Sequence, residues 1–237
     1  MSNPMEQFEI KPLIPLNIGG VDVSFTNSSL FMVLAVVSAV LLMGICLRKR
    51  TIIPSVAQSV PEVLYEFIAG LLRENVGMEG MKYFSFIFSL FTFVAFGNVL
   101  GLFPYAFTFT SHLAAVGGLS VIALLFNIGI GIKKKRLGYL RTFLPRGIPL
   151  ILAPLIVPIE MMSKPFSLTV RLVANMTVGH IMLKIIAGFV LALGIGGIVP
   201  LAFDAAIVVF EIFIALLQAF IYTVLSCIYL GDALHEH

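Results

Sequence analysis

The sequence predicts an all-α polytopic membrane protein. It has five membrane helices, the last two long and tilted, plus one interfacial amphipathic helix. The first observation is composition. Of 237 residues, 59% are hydrophobic and 11% charged, and mean hydropathy is +1.08. Soluble domains carry about 25% charged residues and about 45–50% apolar ones. A soluble enzyme, a disordered chain and a nucleic-acid-binding domain are thereby excluded. The second observation is length: apolar runs of about 20 residues, the thickness of a bilayer core, recur along the chain. The third is charge placement: eleven of the fifteen Lys and Arg residues lie in segments 48–82 and 133–146. The positive-inside rule puts both segments in the cytoplasm.

The elements follow in order. Residues 1–28 form an N-terminal tail outside the membrane. They lack a basic region before an apolar core, so no cleavable signal peptide is expected. Span one covers 29–47 and stops at Arg48, Lys49 and Arg50. Residues 59–77 differ: Val63, Leu64, Phe67, Ile68, Leu71 and Leu72 recur at helical spacing, interrupted by Glu62, Glu66, Arg73 and Glu74. That pattern predicts an amphipathic helix at the cytoplasmic interface, or an ordinary connecting helix. Residues 84–104 and 113–132 make a hairpin around YAFTFTSH, and the second arm stops at Lys133, Lys134, Lys135 and Arg136.

The remaining apolar region divides into 148–194 and 198–230, with a turn at Gly194, Gly196, Gly197 and Pro200. Pro149, Pro154, Pro158 and Pro165 predict an irregular start rather than a separate span. Only then do the charges leave the tail, 231–237, in the cytoplasm. Helices of this size run roughly 45–65 Å, too long to stand upright in a bilayer. Cys46 and Cys227 sit in apolar runs and read as small hydrophobic residues. No internal repeat suggests an inverted-repeat transporter.

Ionisable groups inside a membrane are costly and point to function. The terminal hairpin holds nearly all of them: Glu160, Lys164, Arg171, His180, Lys184, Asp204, Glu211 and, at the exit, Asp232. Lys164 and Arg171 are seven apart, about 20° offset on a helix, and Asn175 lies one turn beyond. His180 points to the other side, with Lys184 near its face. Asp204, Glu211 and Gln218, also seven apart, form one stripe. Arg stays protonated, so Arg171 is a fixed charge, not a proton carrier. His180 and Glu211 gain and lose protons near neutrality if burial shifts them. The plain alternatives are snorkelling for Lys164 and Lys184, a capping role for Asp204, and a headgroup position for Glu160. A merely structural Arg171 has little to recommend it in so apolar a run.

At SKPFSLTVRLVANMTVGH, residues 163–180, the chain resembles subunit a of the membrane (Fo) sector of rotary F-type ATP synthases. GNVLGLFPY, 97–105, and LLQAFIYTVLSCIYL, 216–230, agree with that family in the same order. The order of histidine and acid, His180 then Glu211, is similar to the mitochondrial and alphaproteobacterial pattern. The resemblance implies one upright helix, an interfacial helix, an upright hairpin and two long tilted helices. It implies a proton-channel stator beside a rotating ring of c-subunits, with b-type peripheral stalk subunits, the whole F-type complex and membrane lipid as partners, and no nucleic acid. Two offset half-channels would lead protons to and from the ring carboxylates, coupling proton flow to ATP synthesis.

By the same resemblance Arg171 is the essential arginine, with Asn175 and Gln218 orienting it. His180 and Glu211, with Asp204, would form the outer proton path. Asp232, Glu236, His237, Ser163 and Ser167 are the candidates for the inner path. No cofactor or metal is implied, and no GxxxxGK[ST] motif occurs, so nucleotide chemistry belongs to other subunits. A bacterial inner membrane is the expected location, with the N-terminus outside. The alternative is a stand-alone ion or solute transporter using the same charges. An intramembrane hydrolase lacks its motifs: there is no HExxH and no Gly-flanked nucleophile.

Overall fold

The computed structural model describes residues 10, 12–15, 17–18, 21–22, 24–48, 55–103, 106–135 and 153–234. Lys49, Arg50, Arg136, Pro149, Glu236 and His237 lie outside the described residues, as do the side chains of Glu160 and Lys164. Among the described residues, six α-helices carry the fold: α1 Asn27–Cys46, α2 Val56–Val76, α3 Phe84–Gly101, α4 Leu113–Lys135, α5 Ala153–Leu193 and α6 Ile198–Leu234. Short 3-10 turns cover Met78–Tyr83, Phe109–Ser111 and Gly194–Gly197. Among the described residues, five segments are long and apolar enough to cross a membrane, including all of α1 and α6 and most of α5. At 41 residues, α5 would extend about 60 Å.

Two features depart from the sequence reading. Ahead of α1, among the described residues, stand four short strands: β1 Pro12–Ile14 pairs with β4 Phe25–Thr26, and β2 Asn17–Ile18 with β3 Val21–Asp22, both antiparallel. Gly19 and Gly20 separate β2 from β3 in sequence, and a Gly-Gly pair between extended residues is a hairpin signal. The second departure is α5, which is helical from Ala153, through Pro154, Pro158 and Pro165. Proline is tolerated in a first helical turn, and each interior one removes a single backbone bond.

Many large apolar side chains face outward, and several polar ones lie buried beside the apolar core. Val33, Val40, Leu41, Phe203, Val209, Phe210 and Phe213 are exposed, while Asn98, Ser120, Asn127, Thr169 and Thr223 are buried. A helical bundle solvated by hydrocarbon turns its apolar side chains outward and satisfies polar groups within.

The chain divides into two compact units. One comprises residues 1–40, 93–116 and 171–219; the other 41–92, 117–170 and 220–237. In the first, Ala35 packs with Phe107 and Phe109, bordered by Phe31, Phe93, Phe96 and Leu100. In the second, Ile68, Leu72 and Val76 of α2 pack on Ile87 of α3 and on Cys227, Leu230 and Leu234 of α6. The amphipathic pattern of α2 thus has a protein-facing side, while Val56, Val60, Val63 and Phe67 stay exposed. The helix starts at Val56, three residues before the boundary read from sequence, because Ser55 caps it. The Ser55 side chain accepts from the Gln58 amide at 3.3 Å. Both cysteines are free.

Candidate proton-path site

The site begins with the phase of α5. Leu172, Met176 and His180 are buried at four-residue spacing, one face of a helix. Arg171, Ala174 and Val178 are exposed, and Asn175 is half-buried. Arg171 therefore stands on an apolar outward surface. The structure gives its guanidinium no hydrogen bond to Asn175 or to Gln218.

On α6 the inward face is Glu211, Ala215, Gln218 and Ala219. Their neighbours Phe210, Ile212, Phe213, Leu216 and Leu217 are exposed. Glu211 is 8% exposed, and neither carboxylate oxygen has a hydrogen-bond partner among the described residues. Asp204, two turns earlier, is half-buried with an unpartnered Oδ1, and it acts on Glu211 electrostatically. The carboxylate of Glu211 lies over Gly179 of α5. A Cβ added at 179 would fall on Oε1 and would meet the carboxyl carbon at 2.8 Å. The acid thus sits one residue from His180, without bonding to it.

His180 is held from the connection between α3 and α4. Its Nε2 is 2.9 Å from Thr108 Oγ1. Thr108 also donates to the Gly101 carbonyl at 3.0 Å, and Ser111 Oγ donates to the Thr108 carbonyl at 2.6 Å. His112, in the same connection, stacks on Phe107 with ring centroids 4.9 Å apart. Partial burial lowers the pKa of His112 below its ordinary value. On α3, Asn98 is fully buried and its Nδ2 donates to the Ala215 carbonyl of α6 at 3.0 Å. That bond ties α3 to the face carrying Glu211 and Gln218.

In the second unit a hydroxyl network links α4, α5 and α6. Ser120 Oγ lies 3.0 Å from Thr169 Oγ1 and 3.3 Å from Tyr222 Oη, and Thr169 donates to the Pro165 carbonyl at 2.8 Å. Ser163 and Ser167 are exposed and Asp232 is half-buried. Among the described residues no three His, Cys, Asp or Glu side chains come together as a metal site.

Residues 29–231 match the family described as ATP synthase A chain. The chain belongs to that family. The ATP synthase subunit a of Rhodospirillum rubrum is 53% identical over the full length of both chains. That of Paramagnetospirillum magneticum is 52% identical, again over both full lengths. That of Mesorhizobium japonicum is 47% identical over 98% of this chain and 96% of its own.

As a member of the ATP synthase A chain family, the protein is the proton-conducting stator subunit of Fo, a multi-pass membrane protein without catalysis of its own. The stand-alone transporter alternative falls away. Asn98 and Gly101 of GNVLGLFPY, and Thr108 beyond it, join the candidate residues only through the structure. Thr108 carries no local signal, because its partner lies 72 residues away. Asn98 was legible: a carboxamide in an apolar span needs a partner.

Proposed function

We propose that this chain carries protons to and from the carboxylates of a rotating c-ring through two offset half-channels, and so couples proton flow to ATP synthesis. The observation that carries the reading is Arg171, a permanent charge exposed on an apolar helix surface. A lone guanidinium at mid-membrane costs several kcal/mol. A carboxylate passing on a neighbouring ring removes that cost. The attraction also ionises the carboxylate, since a nearby opposite charge lowers a carboxylate pKa by about 1–3 units. The proton is released on one side of Arg171 and a new one taken up on the other. Arg171 itself exchanges no proton and so bars a direct leak.

Glu211 and His180, with Asp204, line the outer path in this reading. Buried, unpartnered carboxylate oxygens on Glu211 support it, since a relay group must be free to bind and release protons. Asn175 and Gln218 orient the guanidinium once the ring carboxylate is present. Asp232, Ser163 and Ser167, with Glu236 and His237, belong to the inner path. In this reading the N-terminus lies outside and the C-terminus in the cytoplasm of a bacterial inner membrane, and the two basic clusters support that orientation. Both α5 and α6 exceed the thickness of a bilayer, which supports strong tilt. The c-ring and b-type stalk subunits are the direct partners.

The test uses inverted membrane vesicles carrying Arg171→Ala. ATP-driven acidification and ATP synthesis should both be lost, while passive proton leak after removal of the catalytic head is retained or raised. Unchanged synthesis would sink the assignment.

A further inference from the structure

His180 Nε2 meets a hydroxyl of the connection between α3 and α4. Thr108 Oγ1 is within hydrogen-bond distance of both His180 Nε2 and the Gly101 carbonyl. A threonine hydroxyl has a single proton. Gly101 is the last residue of α3, and a helix-end carbonyl has no amide partner within its own helix. Thr108 is 4% exposed, so the bond lies away from solvent. The hydroxyl proton therefore goes to Gly101, and toward His180 the oxygen presents a lone pair. His180 Nε2 must then carry a hydrogen, which leaves Nδ1 as the acceptor of the neutral ring.

The same bond survives protonation, because the imidazolium also carries a hydrogen on Nε2. Ring charge can come and go without breaking the contact to Thr108. The threonine is held from several sides. A Cβ at Gly101 would meet Thr108 Cγ2 at 2.7 Å and Oγ1 at 3.1 Å, so the close approach requires glycine. The Thr108 carbonyl accepts from both the amide and the hydroxyl of Ser111. Two charged groups face the ring's surroundings: Lys184, four residues on in α5, acts on it electrostatically, and the Glu211 carboxylate of α6 lies over the neighbouring Gly179.

We propose that Thr108 is a positioning residue of the outer proton path: it locks His180 in the Nε2–H tautomer, so that protons bind and leave at Nδ1. The proposal rests on the reading of His180 as a path residue. A histidine free to change tautomer would present its lone pair in two directions, whereas one held by Thr108 presents it in a single direction. A partner that holds a tautomer contributes through the group it orients.

The experiment uses the complete synthase in proteoliposomes under a fixed proton gradient, with Thr108→Val and Thr108→Ser. The ring nitrogens are read by 15N NMR of histidine-labelled enzyme, with the His180 signals assigned by difference against His180→Gln. In the wild type and Thr108→Ser, Nε2 should carry the proton and Nδ1 should be bare at neutral pH. Synthesis in Thr108→Ser should stay within about twofold of wild type. Thr108→Val should show mixed or inverted tautomers and about tenfold slower synthesis, the size of a lost orienting partner.

A wild-type His180 protonated on Nδ1 overturns the proposal, and that measurement needs no variant to fold. So does a Thr108→Val enzyme with unchanged spectrum and rate. A Thr108→Ser enzyme as slow as Thr108→Val would show that the methyl, not the hydroxyl, matters, and would overturn it too. Loss of synthesis in His180→Gln with normal Thr108→Val would sink the tautomer lock alone. Normal synthesis in His180→Gln would sink the path reading itself.

Discussion

The carboxylate of Glu211 occupies the space that a side chain at Gly179 would need. The two residues lie on different helices, α6 and α5, and the approach is closer than any Cβ tolerates. Gly179→Ala should therefore displace the acid. Overpacking of this kind costs about 1–3 kcal/mol, and here the group forced to move is itself proposed to relay protons. ATP synthesis in membranes should drop severalfold or more with the subunit still assembled. Gly188, in the same helix with open space around it, is the control. Gly188→Ala should leave synthesis unchanged. Equal behaviour of the two variants would refute the packing argument.

Asn98→Leu removes the bond from α3 to the Ala215 carbonyl and fills the same buried space with hydrocarbon. One buried hydrogen bond contributes about 0.5–1.5 kcal/mol. The expected result is a modest loss of thermal stability in detergent, together with slower synthesis, because Ala215 shares a face with Glu211 and Gln218. A stability loss with no change in turnover would confine Asn98 to scaffolding.

Ser55→Ala should weaken the start of α2. Its side chain caps the Gln58 amide, and such caps contribute about 1 kcal/mol. Amide exchange should quicken in the first turn after Val56 and not around Ile68 or Leu72, which are fully buried. Uniform quickening along α2 would mean that the cap does not act locally.

The salt bridge of Lys134 with Glu79 joins exposed groups. Exposed pairs contribute about 0–1 kcal/mol and are screened by salt. Glu79→Gln should leave melting temperature within about a degree or two at physiological ionic strength. A larger fall would show that the pair is shielded from solvent in the assembled complex.

His112 links pH to the connection between α3 and α4. Its folded pKa lies below the ordinary 6.5, with burial as the cause. The unfolded ring then binds protons more readily than the folded one. Nothing is lost above about 6.5, and stability falls as pH drops from there toward the folded value. Proteolysis or amide exchange over residues 106–112 should accelerate between pH 7 and pH 5. In His112→Gln that acceleration should vanish, and persistence of it would place the titrating group elsewhere.

Much of the site was legible from helical phase. Asp204, Glu211 and Gln218 at seven-residue spacing read as one stripe, and Glu211 and Gln218 both lie on the buried side of α6. Arg171 and His180, nine apart, read as opposite sides of one helix, and one is exposed while the other is buried. The β2–β3 pairing has a sequence signal too, the Gly-Gly step between Asn17–Ile18 and Val21–Asp22. The irregular start expected from the prolines of α5 gave way to a helix from Ala153, since proline weakens a helix without forbidding it.

The amino-acid order alone determined that five segments are long and apolar enough to cross a membrane, and which side chains share a helical face. These follow from local quantities: apolar run length against bilayer thickness, basic clusters, and a turn of about 3.6 residues. Only the tertiary structure decided that Glu211 rests on Gly179, that Asn98 reaches Ala215, and that Thr108 holds His180. Such contacts depend on the rotation and offset of one helix against another. Those are set by the packing of all neighbouring side chains together, and the pattern within one helix carries no record of it.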